Sequence, residues 1–161
     1  MTTLYASGSL WNLASNWGLT TGAADGTIPT IGDDVIFDAS SVDMALDVAA
    51  SANTINTTCF TGTLTQGTLS FTTAGNFTLA AGAFVGNTGT ASVGGDLLIS
   101  GGTFTAPSGT LELNAGITIS AGTFVHNNGK VSFVGAGSTD TILMQGSTLH
   151  NFDINKTGTA A

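Results

Sequence analysis

Asp96-Leu97-Leu98-Ile99-Ser100 is answered twenty residues later by Gly116-Ile117-Thr118-Ile119-Ser120. In the second stretch apolar and small or polar residues alternate, and the first keeps its apolar residues at the same positions. Period-two alternation marks a strand with one face buried. The twenty-residue spacing then extends outward in both directions. Phe77, Leu97 and Ile117 share one phase, and Leu79, Ile99 and Ile119 another. Thr73, Val93, Leu113 and Phe133 share a third. Phe84, Phe104 and Phe124 stand in a fourth, with Leu64 one period earlier, and Gly62, Gly82, Gly102 and Gly122 lie two residues before them. Self-similarity at a fixed period signals a stacked architecture, in which one unit cannot bury its apolar face alone.

Gly, Asn and Ser interrupt the alternating runs every few residues, as in Ser100-Gly101-Gly102 and His126-Asn127-Asn128-Gly129. These residue types tolerate the positive φ of tight corners. Short strands, sharp corners and a twenty-residue period describe an all-β fold, a single-stranded β-solenoid (parallel β-helix) with coils of about 20 residues. Coils stacked at about 4.8 Å place residues of equal phase above one another. Leu64, Phe84, Phe104 and Phe124 are then expected to form an interior ladder. A sandwich or barrel of antiparallel hairpins also yields regular strands, but it does not require identical side chains at an exact period. The step from Phe124 to Leu149 is 25 residues. An insertion looping out near Gly135–Asp140 is therefore expected, in the turn-rich run Gly-Ala-Gly-Ser-Thr-Asp.

Composition fits this reading. The chain has 161 residues, 23 of them Gly, 2 Pro and 7% charged, the size of one domain with or without an appendage. Glu, Lys and Arg together number 3, so no exposed helix face of useful length can be written. No stretch approaches the ~20 uninterrupted apolar residues of a membrane-spanning helix. The ~9–11-residue strands and aromatic girdles of an outer-membrane barrel are missing as well. No membrane insertion is expected.

Charge is one-sided. Lys130 and Lys156 are the only strong bases and the formal net charge is −8. Nucleic-acid binding rests on Lys and Arg neutralising phosphate, so it is not expected. Neither is adsorption to anionic membranes. Cys59 is the single cysteine, which excludes an internal disulfide; beside Phe60 it reads as a buried core thiol. Met44 and Met144 read as core fillers. The opening Met-Thr-Thr-Leu-Tyr-Ala-Ser-Gly has neither the basic nor the apolar region of a secretory signal.

The chain divides in two. Residues 1–50 carry both Trp, the only Tyr and six of the ten acids, and they lack the period. Residues 51–161 hold the β-solenoid repeats, which begin near Ile55. A solenoid exposes core at each end, so the N-terminal segment is expected to be a cap or an attachment module, with Trp11 and Trp17 as covering side chains.

The order Trp11, Asn16-Trp17, Pro29, then Gly32-Asp33-Asp34-Val35-Ile36-Phe37-Asp38 resembles the opening of a broad group of β-solenoid surface proteins. That group includes bacteriophage structural proteins and bacterial autotransporter-type adhesins. Asn151-Phe152-Asp153-Ile154-Asn155-Lys156-Thr157-Gly158, after Thr148-Leu149-His150, is similar to later coils of the same group. Those coils usually continue into further coils. The resemblance implies a non-enzymatic structural protein of the virion surface, such as a capsid decoration protein or the base of a head or tail fibre. It would contribute stability or host-surface adhesion. Its implied partners are copies of itself, with threefold symmetry, other virion proteins such as capsid or tail subunits, and a host surface glycan. The alternatives are a secreted adhesin at the bacterial cell surface and a carbohydrate-binding or carbohydrate-processing β-helix.

Individual residues give little chemistry. Asp33, Asp34 and Asp38 form the densest acidic group and are calcium candidates, although their spacing matches no EF-hand or RTX loop. Paired carboxylates would suit glycoside hydrolysis. Asp96 and Glu112 differ in phase by four positions, and no convergent acid, base and pocket set can be assembled. His126 and His150 read as exposed loop residues without a third metal ligand. No cofactor and no catalytic residue are expected. Faces rich in Thr, Ala and Gly can pack against copies of themselves, so a homo-oligomer is expected, and the resemblance implies that it is a trimer.

Overall fold

The computed structural model describes residues 1–136 and 140–157. It is a parallel β-solenoid of about six turns with roughly 20 residues per turn. Each of the five coils between Asp34 and Phe133 contributes one short strand to each of three faces. The first face runs, in hydrogen-bonded order, from Ile142–Leu143 through Ile117–Ile119, Leu97–Ile99, Phe77–Leu79 and Thr54–Thr57 to Asp34–Phe37, Thr3–Ala6 and Trp17–Gly18. The second stacks Thr123–Val125, Thr103–Thr105, Ala83–Gly86, Thr63–Gly67 and Met44–Ala45. The third stacks Asn151–Ile154, Lys130–Phe133, Thr110–Leu113, Ala91–Val93, Phe71–Thr73 and Ala50–Ala52.

The expected ladder is present. Phe84 pairs in register with Leu64 on one side and Phe104 on the other, and Phe104 pairs with Phe124. All four side chains are buried. The rings of Phe84 and Phe104 stack at 4.7 Å, and those of Phe104 and Phe124 at 6.0 Å. Met44 lies opposite Leu64 and extends the ladder one coil further, filling the core as expected; Met144 is only partly buried. Because Cβ alternates across a strand, inward residues alternate with outward ones, many of them Thr or Ser, which coat much of the walls, with Leu98, Val85 and Ile36 as apolar exceptions.

Corners are held by backbone geometry and by short polar side chains. Gly82, Gly102 and Gly122 have φ of +72°, +65° and +81°, and a Cβ on Gly102 would stand 2.2 Å from the Gly82 carbonyl oxygen. At another corner Asp96 N donates to Asn76 Oδ1, and Gly116 N donates to Asp96 Oδ1. Thr57, fully inside, donates to Ala81 O and accepts from the amides of Ala80 and Ala81. Coil thus bonds to coil at the turns as well as along the strands.

Parallel coiling starts earlier than the visible repeat. Asp34–Phe37 pairs in parallel with Thr54–Thr57 at a 20-residue step. Its inward positions, Val35 and Phe37, match Ile55 and Thr57, and this low identity hides the period. Ahead of it, Thr3–Ala6 pairs in parallel with Asp34–Phe37 and antiparallel with Trp17–Gly18. The indoles of Trp11 and Trp17 are buried with centroids 4.8 Å apart, and Trp17 Nε1 donates to Trp11 O. They contact Phe71 and Phe37 edge-on and so close this end of the core.

Cys59 corrects an expectation. Its thiol is exposed and its φ is +58°. Thr57 and Phe60 take the inward positions, so the corner turns Cys59 outward despite its apolar neighbour.

The other end differs in register. The first face steps 25 residues from Ile117 to Ile142, and the third steps 21 from Val131 to Phe152. The extra length lies between Phe133 and Ile142, where the insertion was expected; Gly137, Ser138 and Thr139 fall outside the described residues. Among the described residues no strand pairs beyond Thr123–Val125, so Leu149 does not continue the Phe124 ladder; it packs, partly buried, against the core. Lys156 Nζ ties the last strand down, bonding Asp140 at 2.6 Å and Asn114 O at 2.8 Å.

Candidate functional site

Asp33, Asp34 and Asp38 bracket one strand, with Asp34 at its first residue and Asp38 just past its end. Four residues of extended chain separate the last two by about 13 Å. Each carboxylate is engaged. Asp33 accepts from Thr30 Oγ1 and from the amides of Thr30 and Thr2. The Thr30 hydroxyl holds its pKa below the ordinary value, and burial opposes this more weakly. Asp34 accepts from Asn53 Nδ2 and Thr54 Oγ1 one coil away. Asp38 accepts from the amide and hydroxyl of Ser40 and from the Ser41 hydroxyl. Burial raises its pKa, and the bonds from Ser40, Thr21 and Ser41 together outweigh burial and leave it lowered. Asp43, Asp47 and Asp96 likewise accept backbone amides, from Thr63, Asn12 and Gly116. The structure therefore uses these carboxylates to terminate turns and join coils. Among the described residues no three of His, Cys, Asp and Glu are grouped so as to hold a metal ion.

A different set of polar residues comes together on the outer side of the third face. Glu112 pairs with Ser132, and Ser132 with Asp153, in adjacent strands. Thr110, Lys130 and Asn151 form the parallel column two residues away on the same side. Glu112 and Asp153 are thus two strand spacings apart, about 10 Å along the stack. Lys130 lies diagonally between them, within reach of a long side chain. Ser132, between them in the column, is itself buried. Counting phases misses the column because the last coil takes a 21-residue step there. The one available signal was the alternation of Asn151-Phe152-Asp153-Ile154, which fixes Asp153 as outward whenever Phe152 faces Phe133. Such a row can bond a hydroxyl-rich ligand laid along the wall. Asp96, at a corner, is not part of it.

His126 and His150 meet although they lie 24 residues apart in sequence. Their rings stack at 5.5 Å and 24°. His150 is exposed as expected, whereas His126 is half-buried and its Nδ1 accepts from Asn128 N.

The molecule is defined by its fold: a capped parallel β-solenoid with polar walls. No protein-family model, no curated protein and no solved structure matches the chain. No described helix is long and apolar enough to cross a membrane.

Proposed function

We propose that the chain is a non-enzymatic structural protein of a bacteriophage virion surface, a capsid decoration protein or the base of a head or tail fibre. The observation that carries the structural half of this reading is where the carboxylates go. Asp33, Asp38, Asp43, Asp47 and Asp96 all accept backbone amides. A catalytic carboxylate needs free lone pairs facing a substrate, whereas these serve turns. The stacked aromatic core and coil-to-coil corner bonds make a short rigid rod, suited to hold a surface rather than to move around a substrate. The virion half rests on the likeness of the Trp11 to Asp38 opening and the closing coil to phage surface proteins. Mass spectrometry of virions purified from the native source tests it. Many copies per particle are expected. Recovery from the bacterial surface fraction and not from virions would move the reading to an autotransporter-type adhesin.

One observation favours a carbohydrate-binding alternative, the Glu112–Ser132–Asp153 column beside Lys130. A glycan array with the intact chain and with Glu112→Gln/Asp153→Asn separates the two. Binding lost in the double variant supports the glycan reading, which is compatible with a fibre base that touches the host.

A further inference from the structure

We propose that the corner where the second face passes into the third, built from His126, Lys130, His150 and Asn151, is a subsite for one oxyanion group, a carboxylate, sulfate or phosphate carried on a saccharide. The saccharide in this statement rests on the carbohydrate reading of the neighbouring Glu112–Ser132–Asp153 column; the oxyanion subsite does not.

The basic side chains of the chain are His126, Lys130, His150 and Lys156, set against ten acids. The first three gather at this corner. His126 opens the turn that leads into Lys130–Phe133, and His150 immediately precedes Asn151, the register partner of Lys130. Lys156 is engaged elsewhere, on Asp140 and Asn114 O. Among the described residues Lys130 is in no ion pair, and both it and Asn151 are exposed. The turn itself is well defined. Asn127 and Asn128 have φ of +49° and +57°, and Gly129 N donates to His126 O at 3.0 Å. Two left-handed central residues closed by that bond make a type I′ turn.

One hydrogen bond decides what the histidine pair can hold. His126 Nδ1 accepts from Asn128 N at 3.0 Å, so the neutral imidazole carries its proton on Nε2. The other ring nitrogen is therefore a donor, and no lone pair is left for a metal ion. The exposed His150 ring stacks on it at 5.5 Å and 24°, so two nearly parallel rings can present rim N–H groups about one ring spacing apart. Two oxygens of a single carboxylate, sulfate or phosphate can accept from both. Lys130 adds a full positive charge, and the Asn151 amide a further donor. Farther along the wall the charge reverses, at Glu112 and Asp153. With a net charge of −8 as well, the protein repels a run of anionic groups such as a nucleic acid. What fits is one oxyanion followed by neutral hydroxyls, which continue along Ser132, Glu112 and Asp153.

Two measurements on the intact chain separate the subsite from the molecule that carries its anion. In the first, inorganic phosphate is added at about pH 7.5, where ordinary imidazoles are neutral, against NaCl of equal ionic strength, and the His126 and His150 ring resonances are followed by NMR. Saturable shifts of both rings are expected, with His126 in the Nε2–H tautomer. Lys130→Gln should weaken the phosphate midpoint about tenfold, through loss of a charge-assisted bond. His150→Phe keeps a ring at an exposed position but removes its nitrogens, and should weaken phosphate binding while circular dichroism stays native. The second measurement is a glycan array of neutral saccharides and the same saccharides bearing one carboxylate, sulfate or phosphate. The acidic members should bind at least about tenfold more tightly, and Lys130→Gln and His150→Phe should each reduce that preference. Neutral and acidic saccharides bound equally, an acidic preference untouched by both variants, or rings that phosphate moves no more than chloride does would each overturn the subsite. Phosphate-dependent shifts with no saccharide bound would uphold the subsite and overturn the carbohydrate reading.

Discussion

At the residue scale, glycines separate two costs that are usually mixed. Gly67 and Gly102 both have positive φ, +67° and +65°. Around Gly67 a Cβ would meet nothing within 4 Å, whereas at Gly102 it would meet the Gly82 carbonyl oxygen at 2.2 Å. Gly67→Ala should therefore cost about 1 kcal/mol, the left-handed strain alone. Gly102→Ala should cost about 2–4 kcal/mol, because the coil below must move. Chemical denaturation of both variants checks the difference, and equal costs would mean that the corner relaxes freely. Carboxylates make a second prediction. Asp33 and Asp38 have folded pKa values below the unfolded 3.8, so they bind fewer protons when folded. Their contribution is fully present above the unfolded value and is lost as pH falls through it toward the folded ones. Stability of the intact chain should decline below about pH 4, and Asp33→Asn/Asp38→Asn should flatten that decline while lowering stability at about pH 7. Tryptophan fluorescence during denaturation at each pH reports it, since Trp17 lies against Phe37 on the strand these acids bracket.

At the element scale, the coils are not equivalent. A middle strand such as Leu97–Ile99 is paired on both sides and buries Leu97 and Ile99 completely. The last strand, Asn151–Ile154, is paired on one side, and all four of its residues are exposed. What holds it is its ladder to Lys130–Phe133, the Phe133–Phe152 contact and the Lys156 anchor to Asp140 and Asn114. Local opening free energy follows burial and pairing. In native-state hydrogen exchange on dilute, monomeric protein, amides of 151–154 should exchange at least about a hundredfold faster than those of 97–99. Lys156→Met should widen the gap without affecting the middle coils. Uniform protection along the stack would contradict this.

At the scale of the whole molecule, one core runs through every coil. The Phe104 ring stacks with Phe84 and Phe124 and meets Phe77 edge-on at 5.6 Å. Removing it opens a cavity at the centre of a column that adjacent coils share. Phe104→Ala should cost about 3–5 kcal/mol in equilibrium unfolding, and a loss below roughly 1 kcal/mol would be incompatible with this packing.

The twenty-residue period determined, from the sequence alone, that the chain stacks, and period-two alternation determined which side chains point inward. Phe84, Phe104 and Phe124 could be placed because identical aromatics at one phase have no other economical explanation. Equal phase means vertical neighbours only while every coil keeps one length. The coil around Gly67 has a bulge, and the last coil steps by 25 and then 21 residues. Tertiary structure alone therefore decided that Glu112, Ser132 and Asp153 share a column and that His126 meets His150. It also decided that coiling starts at Asp34, because backbone ladders form between any residues that fit the pleat and do not need the side chains to repeat. Cys59 was misplaced for the same reason. Whether a residue at a corner faces core or water is set by its φ, and at +58° the thiol turns away from the apolar neighbours that sequence places beside it.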